Sequence, residues 1–189
     1  MSTLEVNTIN PQSGTTITIG GSGDTVSLGS GATQSGFGGE NTPAFRMFMS
    51  ANQTLSANTE TKIQMNTTSG NSNTGWDTNS AFDTSNYKFT VPSGEGGKYY
   101  FKGSVLLEYA DGLNEYGRMM FYVNGAEKAN FRQGMNSSGL EYSLTLSAIL
   151  NLSANDYVEL YAVHTHSSSR TIDKNSRYTW FEAYKLIGA

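Results

Sequence analysis

Between residues 99 and 109 the apolar side chains stand at alternate positions, with Tyr99, Phe101, Val105, Leu107 and Tyr109 on one face and Lys102, Ser104 and Glu108 on the other. A period of two gathers apolar groups on one side of a strand, whereas a helix would scatter the same residues around its axis. The pattern returns in Met119, Phe121 and Val123, which lead into Asn124-Gly125. That dipeptide suits a two-residue type I′ turn, both of whose central positions need positive φ, so a partner strand is expected from Ala126. Leu140, Tyr142, Leu144, Leu146, Ala148 and Leu150 alternate in the same way, and Asn155-Asp156 introduces residues 157–165. These two segments are expected to be successive antiparallel strands. No stretch shows a convincing helical period, so the chain beyond residue 41 reads as an all-β domain.

Two strands carry more apolar surface than one core can use. In residues 157–163, Val158 and Leu160 oppose Tyr157, Tyr161 and Val163; in residues 178–187, Trp180, Tyr184 and Leu186 oppose Phe181, Ala183 and Ile187. A strand of a two-layer sandwich has one core face, so a second apolar face needs another cover. A neighbouring subunit is the expected cover, with Tyr157, Tyr161 and Val163 at the interface.

Residues 1–36 differ in kind. They contain no aromatic residue, and Thr16-Ile17-Thr18-Ile19-Gly20 recurs nine positions later as Thr25-Val26-Ser27-Leu28-Gly29. Each copy reads as a short strand ending in a glycine turn. Four aliphatic side chains cannot offset an ordering cost of about 1–2 kcal/mol per residue. Either the segment is a Gly/Ser/Thr tail without fixed structure, or Ile17, Ile19, Val26 and Leu28 are anchors of an intertwined or docked arm; the paired alternation favours the arm. Residues 29–41 are a flexible linker by composition. The expected organisation is an extended N-terminal arm over 1–36, the end of the Gly-rich linker over 37–42 and a head domain over 43–189.

Composition removes many functions. A chain of 189 residues holds one domain and an appendage, and the lack of Cys excludes thiol nucleophiles, Cys-ligated zinc, iron–sulfur clusters and disulfides. With 12 basic and 16 acidic residues, a net charge of −4 and no basic run, nucleic acid and anionic lipid are not expected partners. No apolar run approaches the roughly 20 residues of a membrane span. The first basic residue is Arg46, so the opening lacks the basic region of a secretory signal and folding in the cytoplasm is expected.

Enzyme chemistry has little to work with. The only histidines are His164 and His166, no Gly-x-Ser-x-Gly elbow or phosphate loop is present, and carboxylates such as Asp77, Asp83, Glu108 and Asp111 form no selective pattern. No catalytic residue, cofactor or metal is expected. His164-Thr165-His166 on a strand would face one way, and three copies could gather six imidazoles at an axis. Because the pair opens the polar run Ser167-Ser168-Ser169-Arg170, solvated histidines are the preferred reading. Trp76 and Tyr116 are the candidate contacts for a glycan or protein ligand, being aromatic residues near expected loops.

Several segments then carry a resemblance. Pro43-Ala-Phe45, Trp76-Asp77, Phe82-Asp83, Asn86-Tyr-Lys-Phe-Thr-Val-Pro92, Gly97-Lys-Tyr-Tyr-Phe101, Phe121-Tyr-Val-Asn-Gly125, residues 150–160 and Trp180-Phe-Glu-Ala-Tyr-Lys-Leu186 follow one another in an order similar to the trimeric jelly-roll head of the first complement component and tumour necrosis factor. The resemblance implies an antiparallel jelly-roll β-sandwich and a homotrimer. The run from Ser2 to Ile19 resembles openings of fibre and other structural proteins of tailed bacteriophages. It implies a non-enzymatic protein at the virion surface, assembled in the host cytoplasm. Its arm would meet phage capsid or tail proteins, and its head would act as a capsid decoration (cement) protein or as a short tail fibre contacting a host-surface glycan or protein. A free carbohydrate-binding module is the alternative.

Overall fold

The alternating segments become thirteen strands in a computed structural model that describes residues 8–27, 30, 41–110, 115–135 and 140–186. In chain order they are β1 (Ala44–Met47), β2 (Gln53–Leu55), β3 (Thr61–Lys62), β4 (Trp76–Asp77), β5 (Phe82–Asp83), β6 (Lys88–Thr90), β7 (Gly97–Ala110), β8 (Glu115–Val123), β9 (Ala126–Met135), β10 (Leu140–Leu152), β11 (Tyr157–His164), β12 (Arg170–Asp173) and β13 (Trp180–Lys185). Among the described residues there is no helix, and every strand pair is antiparallel. The fold is an all-β jelly roll.

In the first sheet β4, β1, β13, β7 and β10 lie side by side, with β12 and β2 continuing it beyond β13 on the same flank of β7. The second sheet runs β5, β6, β11, β8, β9, with β3 also on β11. Their facing sides enclose a core centred on Phe45, Phe89, Phe101, Phe121 and Phe181, all fully buried. Phe45 meets Phe89 at 5.1 Å and Phe181 at 5.0 Å between centroids, and Phe121 meets Phe101 at 5.9 Å and Phe181 at 5.6 Å. Truncating one such ring to Ala costs about 3–5 kcal/mol, so the cluster contributes much of the head's stability.

The predicted hairpin forms: Asn124 and Gly125 have φ of 52° and 77° and join β8 to β9. Asn124 Oδ1 accepts the Tyr157 N–H at 3.0 Å, and its Nδ2 donates to Asp156 Oδ1 at 2.7 Å. Asp156 Oδ2 in turn accepts the Ser153 N–H at 2.7 Å, tying this hairpin to the turn that precedes β11. β10 and β11, expected as successive antiparallel strands, follow one another in the chain but do not pair. β10 pairs with β7 in the first sheet, while β11 lies between β8 and β6 in the second. The turn at Ser153–Asp156 carries the chain from one sheet to the other, so that Leu144 and Leu146 of β10 and Val158 and Leu160 of β11 enter the same core.

Contacts divide the chain into two units, Met1–Gly38 and Gly39–Ala189. In the first, Asp24 closes a turn by accepting the Gly21 N–H at 2.6 Å. Ile17, Ile19 and Val26 are exposed, and Leu28 lies outside the described residues. The short strands expected at residues 16–19 and 25–27 are not strands here, because a lone alternating segment has no ladder partner.

Candidate functional site

Register joins the aromatic outer face of β13 to single apolar side chains on its neighbours. On the outward side of the first sheet Ala44 lies opposite Tyr184, Tyr184 opposite Tyr100, and Tyr100 opposite Ile149. The Tyr184 and Tyr100 rings stand 5.5 Å apart, and Tyr184 and Ile149 are 39% and 61% exposed. The next row crosses the same strands as Trp76, Arg46, Glu182, Lys102 and Ser147. Arg46 Nε approaches Glu182 Oε2 at 3.5 Å, and its guanidinium lies 5.2 Å from the Trp180 ring. Lys102 Nζ reaches the same ring at 5.4 Å. The charges in this row are therefore occupied with one another and with Trp180. The apolar row beside them has no cover.

Trp76, 46% exposed, edges the same surface. Gly75 holds it there: a Cβ at that position would sit 2.0 Å from the Arg46 carbonyl oxygen, so only glycine lets β4 approach β1. With Tyr184, Glu182 and Ala44 it borders a shallow hollow of about 240 Å³.

The outward side of the second sheet carries as many aromatic groups but leaves few of them bare. Tyr161 lies against Tyr122 at 4.4 Å, Lys88 Nζ stands 4.5 Å from the Tyr157 ring, and Arg132 lies 3.6 Å from the Tyr116 ring. Glu60 accepts hydrogen bonds from both Tyr122 and Arg118, and Arg118 also reaches Glu127 at 3.5 Å. The Glu60 carboxylate, with burial second, pushes the Tyr122 hydroxyl up to about 12. Burial, then the Glu159 charge, also raises the Tyr161 hydroxyl. Lys62 pairs with buried Glu159 at 2.5 Å; burial lowers its pKa, but the hydrogen bond and charge of Glu159 outweigh that and the net shift is upward.

Of the three residues expected at a subunit interface, Tyr157 and Tyr161 are thus half-buried under partners from their own chain, and Val163 is 7% exposed. The second apolar face of β11 is thus partly covered by side chains of its own protomer. Tyr116 is similarly capped by Arg132 near the start of β8, and lies on the opposite sheet from Trp76, so the two do not share a site.

The histidines are not solvated, which corrects the sequence reading. His164 is fully buried on the core side of β11, opposite Gly117, with Nε2 at 3.1 Å from the Leu55 carbonyl at the end of β2. Burial lowers its pKa, the Leu55 contact opposes this, and Arg170 and His166 lower it further. His166 is also buried; it contacts Arg170 and lies 3.9 Å from Glu115. The loop folds back onto His166, while the end of β2 meets His164, so neither ring is left at the surface. Among the described residues no group of three or more His, Asp or Glu side chains is placed to hold a metal ion.

The residues that sequence reasoning missed are Tyr100 and Ile149. Each stands among mostly polar residues on its strand face, and only the cross-strand register joins them to Tyr184.

No family model and no curated protein matches the chain. Solved structures do. The chain is similar to the Eiger tumour necrosis factor of S. frugiperda, with 13% identity, a TM-score of 0.53 and coverage of 77% of this chain and 93% of that one. It is also similar to the globular domain of the zebrafish complement 1qA protein, with 17% identity, a TM-score of 0.52 and coverage of 76% and 97%. At this identity the likeness establishes a shared fold, the jelly roll built above from strand order and register.

Proposed function

We propose that this protein is a non-enzymatic structural protein of a bacteriophage virion, a homotrimer whose heads meet through the outer face of the first sheet and whose N-terminal arm docks on the particle. The observation that carries the reading is the uncovered Tyr184, Tyr100 and Ile149 row. A contiguous apolar patch on a sheet face marks an interaction site, and a threefold axis closes identical patches without leaving an edge. Jelly-roll heads of the tumour necrosis factor and complement type, whose fold this chain shares, commonly assemble as trimers. A row of apolar side chains running across β13, β7 and β10 suits such packing.

The arm supplies the second half of the reading. Ile17, Ile19 and Val26 are exposed and find no core of their own, as anchors awaiting another surface would be. Together with the phage-like opening of the chain, they favour capsid or tail proteins as the arm's partner, at the virion surface after assembly in the host cytoplasm. Capsid decoration and a short host-contacting fibre are two uses of one architecture. A free carbohydrate-binding module is the competing function.

Electron cryomicroscopy of intact particles, with and without a deletion of residues 1–28, tests the proposal. Trimeric density over the shell or at a tail tip, lost with the deletion while the head still melts at its normal temperature, is the expected result. Normal copy number of the deleted form would refute arm docking. Density over the icosahedral shell would make the protein a cement protein, and density confined to the tail would make it a host-recognition fibre.

A further inference from the structure

On the second sheet, away from the aromatic face, the turn between β5 and β6 borders a pocket of about 300 Å³. Tyr87 stands on it with φ of 55°. The other described non-glycine residues with positive φ are three asparagines and a serine, small polar residues that tolerate the left-handed region. A tyrosine there is strained, and asparagine or glycine would make the same turn at less cost. Such strain persists where the surroundings over-determine it, and it is concentrated at ligand-binding positions.

The surroundings do over-determine it. Asp83 Oδ1 accepts the backbone N–H groups of Ser85 and Asn86, each at 2.9 Å, and Oδ2 accepts Asn86 Nδ2 at 2.7 Å. These bonds from Asn86 and Ser85 hold the Asp83 carboxyl below its ordinary range. Lys62 Nζ donates to the Asn86 carbonyl at 3.3 Å, fixing the turn against β3. Gln53 braces the far wall, donating to the Lys62 carbonyl at 2.8 Å and accepting the Gln64 N–H at 3.0 Å.

What the frame presents has a definite chemistry. The Lys62 charge is neutralised by Glu159 at 2.5 Å, so the pocket offers no unbalanced cation for a phosphate or carboxylate. The remaining polar side chains at its wall are uncharged: Thr61, whose hydroxyl donates to the Thr59 carbonyl at 3.1 Å, the exposed Gln64 amide, Ser85 and Asn86. One half-buried aromatic ring lies among them. A pyranose has the matching surface, with hydroxyls around its edge that both donate and accept and C–H groups on a face that suits an aromatic ring. We propose that this pocket is a binding site for a neutral saccharide, with Tyr87 as its stacking platform and Gln64, Ser85 and Asn86 as its hydrogen-bonding rim. The proposal rests on the pocket alone and holds whether or not the heads trimerise.

Saturation-transfer NMR on the full-length protein tests it. The probes are methyl mannoside, methyl glucoside, methyl galactoside and N-acetylglucosamine, with sialyllactose as an anionic comparison. At least one neutral sugar should receive saturation with a millimolar dissociation constant, weakened by roughly tenfold or more in Tyr87→Asn and in Gln64→Ala. Tyr87→Asn keeps a residue suited to the left-handed turn, so it should melt no lower than the parent and up to about 2–4 °C higher. Gln64→Ala changes only an exposed side chain and decides the matter if the first variant folds poorly. Transfer to no neutral sugar, to sialyllactose alone, or undiminished transfer in Gln64→Ala would overturn the proposal. The oligomeric mass, measured on the same samples, reports separately on the trimer.

Discussion

The outward faces of the two sheets carry similar numbers of aromatic side chains and have opposite fates. On the second sheet Tyr116, Tyr122, Tyr157 and Tyr161 are each engaged by a charged residue or a second ring of the same chain. On the first sheet the charges Arg46, Glu182 and Lys102 are spent on each other and on Trp180, and the Tyr184, Tyr100 and Ile149 row is left to solvent. Apolar patterning alone therefore does not say which outer face stays bare. That depends on which charges fall next to which rings in the register.

The largest expected effect comes from charging the bare face. Tyr100→Glu should reduce the sedimenting species from three chains to one, because a carboxylate buried without a partner costs about 3–5 kcal/mol per copy. The head itself should stay folded, since Tyr100 lies outside the core. A variant that still sediments as a trimer would remove the first sheet from the interface.

Charging the covered face should do something different. Tyr161→Glu loses the contact with Tyr122 and brings a third carboxylate near Glu159 and Glu60, lowering head stability in urea by roughly 1–2 kcal/mol. The mass should not change. If the trimer dissociated instead while the head kept its stability, the comparison would be inverted and β11 would be the interface, as its residue pattern alone suggests.

The smallest effect sharpens a difference inside the core. The His164 pKa is lowered in the folded head, so the unfolded chain binds the proton more readily. Stability should therefore be complete above about pH 6.5 and decline as pH falls from there towards the lowered value. His164→Gln should flatten that decline in urea titrations at stepped pH, and an unchanged slope would place its origin in other groups.

Much of this fold was legible in the residues. The alternation in β7, β8 and β10 placed Phe101, Phe121 and Leu144 in the core, and Asn124-Gly125 announced its hairpin correctly. The sheet assignment of β10 and β11 was not legible, because alternation fixes the face of a strand without naming its neighbour. The candidate site was less readable still. Trp76 stood out as an isolated aromatic near a loop, and the fold leaves it exposed. Tyr100 and Ile149 each looked incidental on a polar face. Their alignment is a property of three strands far apart in the chain. The histidines misled for two reasons: the polar run after them folds back so that Arg170 meets His166, and the Leu55 carbonyl that meets His164 comes from β2, far away in the chain.

The pairing of β1 with β13 also governs the order in which the head can form. Phe45 emerges early in synthesis, yet its ladder partner Ala183 is made nearly a whole domain later. Until β13 arrives, β1 can hold only the two-residue β4, and the Phe45 ring lacks Phe181. A nascent head must therefore wait with its central aromatic cluster open, and closure joins segments separated by almost its full length, the kind of distant contact that slows folding. Production of the protein should depend on keeping that half-built core from meeting its copies on neighbouring ribosomes, the same copies that its finished surface is proposed to meet.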